Sequence, residues 1–242
     1  MGYIIFIIAI LCIAMSAKEI VKTKLEVAIP ISIISMILIV YIFAIFNFLK
    51  IGGIIIVFIL VLSLIYNLII LIKKIKEKVI IKYVREEILT PGVCIFALLY
   101  VVNVLLNKGR LLSSWDEFSH WGLVVKNMYE FNMLGTNPET NVLFRGYPPF
   151  VAIFEWLCLF IRNAYNEGTM IVAYNLLYIS LIIPVFKNVK WQMRDIKVYT
   201  IYLLLILMIP TMMYYDFYTI IYIDPILSAM FAYILYTINN KS

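Results

Sequence analysis

Between Ser113 and Gly122 the chain reads SSWDEFSHWG, which places two adjacent carboxylates, the single histidine and two tryptophans within a few residues. Asp116 and His120 are four residues apart, a spacing that makes them neighbours on one face of a helix. A carboxylate held there accepts a proton from an attacking hydroxyl, or holds a divalent cation against a phosphate. Asp116 and His120 are the candidate ligands for such an ion. His120 alternatively orients the carboxylate, or is a hydrogen-bonded polar residue and nothing more. The same stretch also fits a structural part. Ser114-Trp115-Asp116-Glu117 is a capping box, in which the serine caps a helix start and Glu117 reaches back to the serine amide. An aspartate in the first turn suits the positive end of the helix dipole.

A second acidic constellation lies in YYDFYTIIYIDPIL, Tyr214 to Leu227, with Asp216 and Asp224. Asp224 before Pro225 reads as an N-cap followed by proline at the first helical position. That ordinary role leaves Asp216 unaccounted for. Tyr147-Pro148-Pro149 opens an apolar run between the two constellations, and Arg110 and Arg145 flank the first.

The elements that position these groups follow from composition. Of 242 residues, 64% are hydrophobic and 14% charged, whereas a soluble domain carries about a quarter charged. The apolar residues come in runs of bilayer length. The fold class is therefore all-α: a polytopic transmembrane bundle of about seven or eight apolar helices. Runs at Tyr3–Ala17, Val27–Leu49 and Ile51–Ile72 come first, the last two joined by a tight Lys50-Ile51-Gly52-Gly53 turn. Pro91-Gly92 opens a fourth, ending near Asn107. Residues 1–107 thus form the N-terminal helices, and 108–147 the one long polar loop. Residues 148–242 form the C-terminal helices, with runs at Pro148–Ile161, Thr169–Phe186, Tyr199–Met213 and Pro225–Ile238.

The net charge of +6 comes from bases in short clusters between apolar runs. That is the pattern of cytoplasmic loops, and it argues against nucleic acid as a partner. The Lys73–Arg85 cluster puts the 108–147 loop on the extracytoplasmic side. Within it, Trp115, Phe118, Val125, Met128 and Tyr129 gather on one side of a helix. Asp116, Ser119, His120, Asn127 and Glu130 form a polar stripe, as in an amphipathic helix lying at the lipid interface. The run Pro148–Ile161 is short for a span. If it is re-entrant, the bases from Lys187 to Lys197 fall on the cytoplasmic side and Asp216 and Asp224 on the other. Cys12, Cys94 and Cys158 sit in apolar runs without metal-ligand spacing and read as packing residues.

The ordered set of Asp116-Glu117, His120, Gly135, Tyr147-Pro148-Pro149 and Asp224 resembles the GT-C class of polytopic glycosyltransferases, which includes protein O-mannosyltransferases and aminoarabinose transferases. The likeness runs from about Arg110 to Ile238. It implies an inverting transferase that moves a sugar from a polyprenyl-phosphate donor to an extracytoplasmic acceptor in the cell membrane. Asp116, with Glu117, matches the catalytic acidic pair, and Asp224 the second acidic site. His120, Arg110, Arg145, Tyr147 and Asp216 would contact substrate, an arginine stabilising the departing lipid phosphate. Members of the class continue through further helices, so the resemblance implies a truncated or split member with a partner chain supplying the rest. Two other classes fit the residues: a non-catalytic membrane scaffold, or a transporter, which would place ionisable groups at mid-membrane. Glu155 is the one acid well inside an apolar run; the others cluster in loops, which favours the transferase.

Overall fold

Every regular element among the described residues is helical. The structure, a computed structural model, describes residues 2–239. Residue 1 and residues 240–242, at the outer ends of the first and last segments, lie outside the described residues. In chain order the helices are α1 (Gly2–Val21), α2 (Leu25–Ile45), α3 (Leu49–Lys76) and a short α4 (Ile80–Tyr83) that runs into a π-turn (Val84–Ile88). Next come α5 (Pro91–Asn107), a second π-turn (Glu117–Trp121) leading into α6 (Gly122–Phe131), and α7 (Phe150–Arg162). The last are α8 (Glu167–Ile182), α9 (Met193–Met213) and α10 (Ile223–Asn239), with 3₁₀ turns at Ile183–Phe186 and Phe217–Thr219.

Five helical segments are long and apolar enough to cross a membrane: α1, α2, α3, α8 with its 3₁₀ extension, and α9. The α4 segment and α5 form a sixth if that pair, bent by 64°, is one span; α10 is apolar but shorter. Apolar residues on all sides are the mark of a helix surrounded by protein or lipid. α8 is surrounded by protein: every residue from Gly168 to Leu181 is buried, against α5, α7 and α10. Gly168 lets the start of α8 meet the end of α5, since a Cβ there would lie 2.2 Å from the Asn107 carbonyl oxygen. Between α1 and α3 the glue is polar. Asn67 donates to the Cys12 carbonyl at 2.8 Å, and Ser16 donates to Asn67 Oδ1 at 3.2 Å. Such bonds are retained between apolar helices because hydrocarbon offers no alternative partner.

The connection between α2 and α3 differs from the turn expected at Lys50–Gly53. The chain reverses at Phe46–Phe48, with Asn47 in the left-handed region at φ 63°, a conformation asparagine tolerates better than most residues. Gly52 and Gly53 already belong to α3. A Cβ on Gly53 would lie 2.7 Å from the Phe160 ring, so the glycine admits α7 against α3 instead of making a turn.

α7 bears on the parity question left by the sequence. Its thirteen residues rise only about 20 Å at 1.5 Å each, less than the bilayer core. Its C-terminal Arg162 stacks over Tyr3 at the start of α1, 4.8 Å from the ring centroid, and bonds to Asn166 and Thr169 before and within α8. Tyr3 in turn reaches the Lys108 carbonyl at the end of α5. The C-terminal end of α7 therefore lies at the end of the bundle where α1 begins, α5 finishes and α8 begins, and its N-terminal end follows Tyr147, which packs on His120 in the loop after α5. The bases gather at the other end, where Lys18, Lys24, Lys74, Lys82, Lys187 and Lys190 line one cleft and Lys24 donates to the Lys187 carbonyl at 2.9 Å. Single cysteines at Glu77 and Asn188, in a background lacking the native three, should therefore share one accessibility to an impermeant thiol reagent in intact cells. A cysteine at Asn137 should show the opposite. Labelling of Asn188→Cys together with Asn137→Cys would mean that α7 crosses.

Candidate active site

The acidic end of the bundle is organised by carboxylates that bind backbone amides. Three successive amides leave α5's wake unpaired, and two glutamates take them. Leu112 N donates to Glu167 Oε2 at 2.8 Å; Ser113 N and Ser114 N donate to Glu117 Oε2 at 2.8 and 2.9 Å. Glu117 N donates back to Ser114 Oγ at 3.3 Å, completing the reciprocal pair of a capping box. The other oxygen of Glu117 reaches across the chain to accept from Ile221 N at 3.0 Å. Glu117 is fully buried. Its role in this arrangement is to clasp the first acidic segment to the second.

The helix that follows does not keep α-helical phase. Residues Glu117–Trp121 form a π-turn, which takes about one more residue than an α-turn. Glu117, His120, Val124, Val125, Asn127 and Met128 are all buried and form the helix's interior face. Trp115 and Phe118, expected on the apolar side with Val125 and Met128, are 80% and 57% exposed. His120, expected on the polar stripe, is buried among aromatic rings. Its centroid lies 4.5 Å from Trp121, 4.9 Å from Tyr147 and 5.8 Å from Phe144. Loss of solvent there lowers the His120 pKa and favours the neutral ring. Tyr147 is set against it by the two prolines that follow, which restrict the preceding backbone to extended conformations.

Asp116 is exposed at the loop surface, as is Asp224. α10 begins at Ile223, so Asp224 lies in its first turn and not at the cap. Asp216 is half-buried and accepts from the Tyr222 hydroxyl at 3.2 Å. Arg110 is exposed, and Arg145 is fastened to the Pro138 and Thr140 carbonyls at 3.0 and 3.1 Å. The segment carrying Asp216 and Asp224 dips into the bundle between them. Phe217 is fully buried against Tyr178, and the Tyr218 carbonyl accepts from both Asn107 (3.0 Å) and Asn175 (2.8 Å). Asn103 braces those amides and bonds the Val172 carbonyl at 2.9 Å. Sequence reasoning passed over Asn103, Asn107, Asn175 and Glu167; polar residues inside or at the edge of apolar runs were the available signal.

Among the described residues no three His, Cys, Asp or Glu side chains gather into a cation site, and Asp116 is exposed where His120 is buried. The residues present do not fit a bound metal ion. What this end of the bundle offers is an exposed carboxylate, Asp116, on the same loop as Arg110 and Arg145. The clasp and the exposed acid separate experimentally. Glu117→Ala strips a charged acceptor from three amides and should cost about 3 kcal/mol or more, read as a lower unfolding midpoint in detergent. Asp116→Asn should stay within about 0.5 kcal/mol of the parent, as surface changes do. Equal losses would contradict this division.

The chain matches no family model, no curated protein sequence and no solved structure.

Proposed function

We propose that the protein is a membrane glycosyltransferase that moves a sugar from a polyprenyl-phosphate donor to a hydroxyl acceptor at the acidic end of the bundle. The observation that supports this reading most is the Glu117–Ile221 bond. It brings the loop bearing Asp116 and the segment bearing Asp216 and Asp224, a hundred residues apart in sequence, to the same end of the molecule. A transfer between a lipid-borne donor and a second substrate needs such convergence at the membrane surface, because positioning supplies much of the rate.

In this reading Asp116 accepts the proton of the acceptor hydroxyl as its oxygen attacks the anomeric carbon. The bond from that carbon to the lipid phosphate breaks on the opposite face, inverting the centre. Arg145, held by two carbonyls, or Arg110 stabilises the charge gathering on the departing phosphate. The chain crosses the bilayer seven times in this proposal, through α1, α2, α3, α5, α8, α9 and α10, with α7 re-entrant. The basic end then faces the cytoplasm and the acidic end faces outward, in keeping with the positive-inside rule.

The test is sugar transfer from a polyprenyl-phosphate donor in membranes, with any partner chain supplied, at matched expression. Asp116→Asn should lose roughly a hundred- to ten-thousand-fold, the worth of a general base, and Asp224→Asn should also fall. A wild type that transfers sugar while both variants keep near-normal rates would remove these acids from the chemistry.

A further inference from the structure

Behind Tyr147 lies a small cavity of ≈ 20 Å³, room for about one water-sized group. Two polar atoms among the residues that line it are buried without a hydrogen-bond partner among the described residues: His120 Nδ1 and Glu155 Oε1. His120 is 5% exposed and Glu155 1%. A buried polar atom left unpaired costs about 1–3 kcal/mol, so two lining one cavity mark a place built to receive a hydrogen-bonding group. The remaining wall is largely apolar and aromatic. Tyr147 and Phe144 line the cavity while 48% and 51% exposed, so it communicates with the protein surface.

The chemistry of the pair defines the guest. Glu155 sits in the thirteen-residue α7, which does not cross the bundle, and is fully enclosed by protein. Burial, with the nearby Glu117 carboxylate, pushes its pKa well above the usual carboxyl range and favours the neutral acid, which donates. His120, kept neutral by its own burial, accepts at Nδ1 when the proton is on Nε2. A donor and an acceptor on residues that line one cavity are matched by a group that is both at once. An alcohol hydroxyl or a water fits; an ammonium or phosphate does not. Aromatic rings at the mouth suit the C–H faces of a sugar ring, and pockets of this composition commonly use a few polar atoms to fix orientation.

We infer that the His120–Glu155 cavity is a subsite that reads one hydroxyl of a hexose, the pair selecting which sugar is accepted next to Asp116. This deepens the transferase reading and rests on it for the identity of the hydroxyl's bearer. Glu155 is here a specificity residue and takes no part in bond making.

Because His120 is the only histidine, ¹⁵N-histidine labelling of the full chain in lipid nanodiscs yields one pair of ring-nitrogen signals. Methyl hexosides of glucose, galactose and mannose, with their monodeoxy analogues, serve as probes, followed by a short-chain polyprenyl-phosphate hexose. The Nδ1 signal should move and saturate with at least one hexoside. It should stay still with the analogue lacking the hydroxyl that is read, since a site built to pair a hydroxyl strongly rejects its absence. Glu155→Leu should abolish the shift, and Glu155→Gln, whose amide also donates, should keep it. If Glu155→Leu does not fold, the deoxy series on the parent chain decides. A signal unmoved by every sugar, or moved equally by all deoxy analogues, would overturn the subsite and leave the pair holding water only. A sugar-dependent shift without any lipid-donor transfer would instead retain the subsite and remove the transferase reading.

Discussion

A carboxylate buried in a low-dielectric interior must find partners, and the acidic end of this protein is arranged around that requirement. Glu117 has no exposed surface, and its two oxygens are satisfied by backbone amides of Ser113, Ser114 and Ile221. Charge-assisted bonds to amides are stronger than neutral ones, and the amides have no side-chain rotamers to lose. The bond to Ile221 has the widest reach. It fixes where the chain returns after α9, and so where α10 begins and where Asp224 stands. Without it, the two acidic segments would be separate loops on a helical bundle.

The other devices at this end serve the same seam. Asparagines from α5 and α8 converge on the Tyr218 carbonyl and hold the returning segment from below. Glu167 secures the loop one residue upstream of the amides that Glu117 takes. The π-turn at Glu117–Trp121 turns Glu117 and His120 inward together while leaving Asp116, one residue before it, outside. The acidic pair is thus divided into a buried clasp, Glu117, and an exposed Asp116.

The helical class and the membrane-length segments were legible because long apolar runs have few other uses. The capping box was legible because its two partners are three residues apart. That the Asp116 loop and the Asp224 segment share one end of the bundle was readable from the charge pattern only if Pro148–Ile161 is re-entrant, since no local pattern reports a bond between residues 117 and 221. The buried face of this helix was misjudged for a physical reason: Trp115 and Phe118 match an apolar stripe by composition, whereas the face that packs carries the polar Glu117, His120 and Asn127. The glycines at 52 and 53 suggested a turn, yet their work is close approach, a property of the neighbour as much as of the glycine. Glu155 stood out in its apolar run, but its sharing a cavity with His120 depends on how α7 packs against the loop.

The central claim is that the Asp116 loop and the Asp224 segment form one site. Cross-linking tests it most directly. With Cys12, Cys94 and Cys158 replaced, cysteines at Ser114 and Tyr222 flank the two ends of the Glu117 clasp and should be joined by a short bifunctional thiol reagent in native membranes. The joined product should run as a distinct band on a denaturing gel after cleavage of the chain between them. Efficient joining in the parent background, lost when Glu117→Ala is added, is the result the account predicts. Two reactive cysteines that never join with Glu117 intact would show that the segments lie apart, and the shared site would not exist.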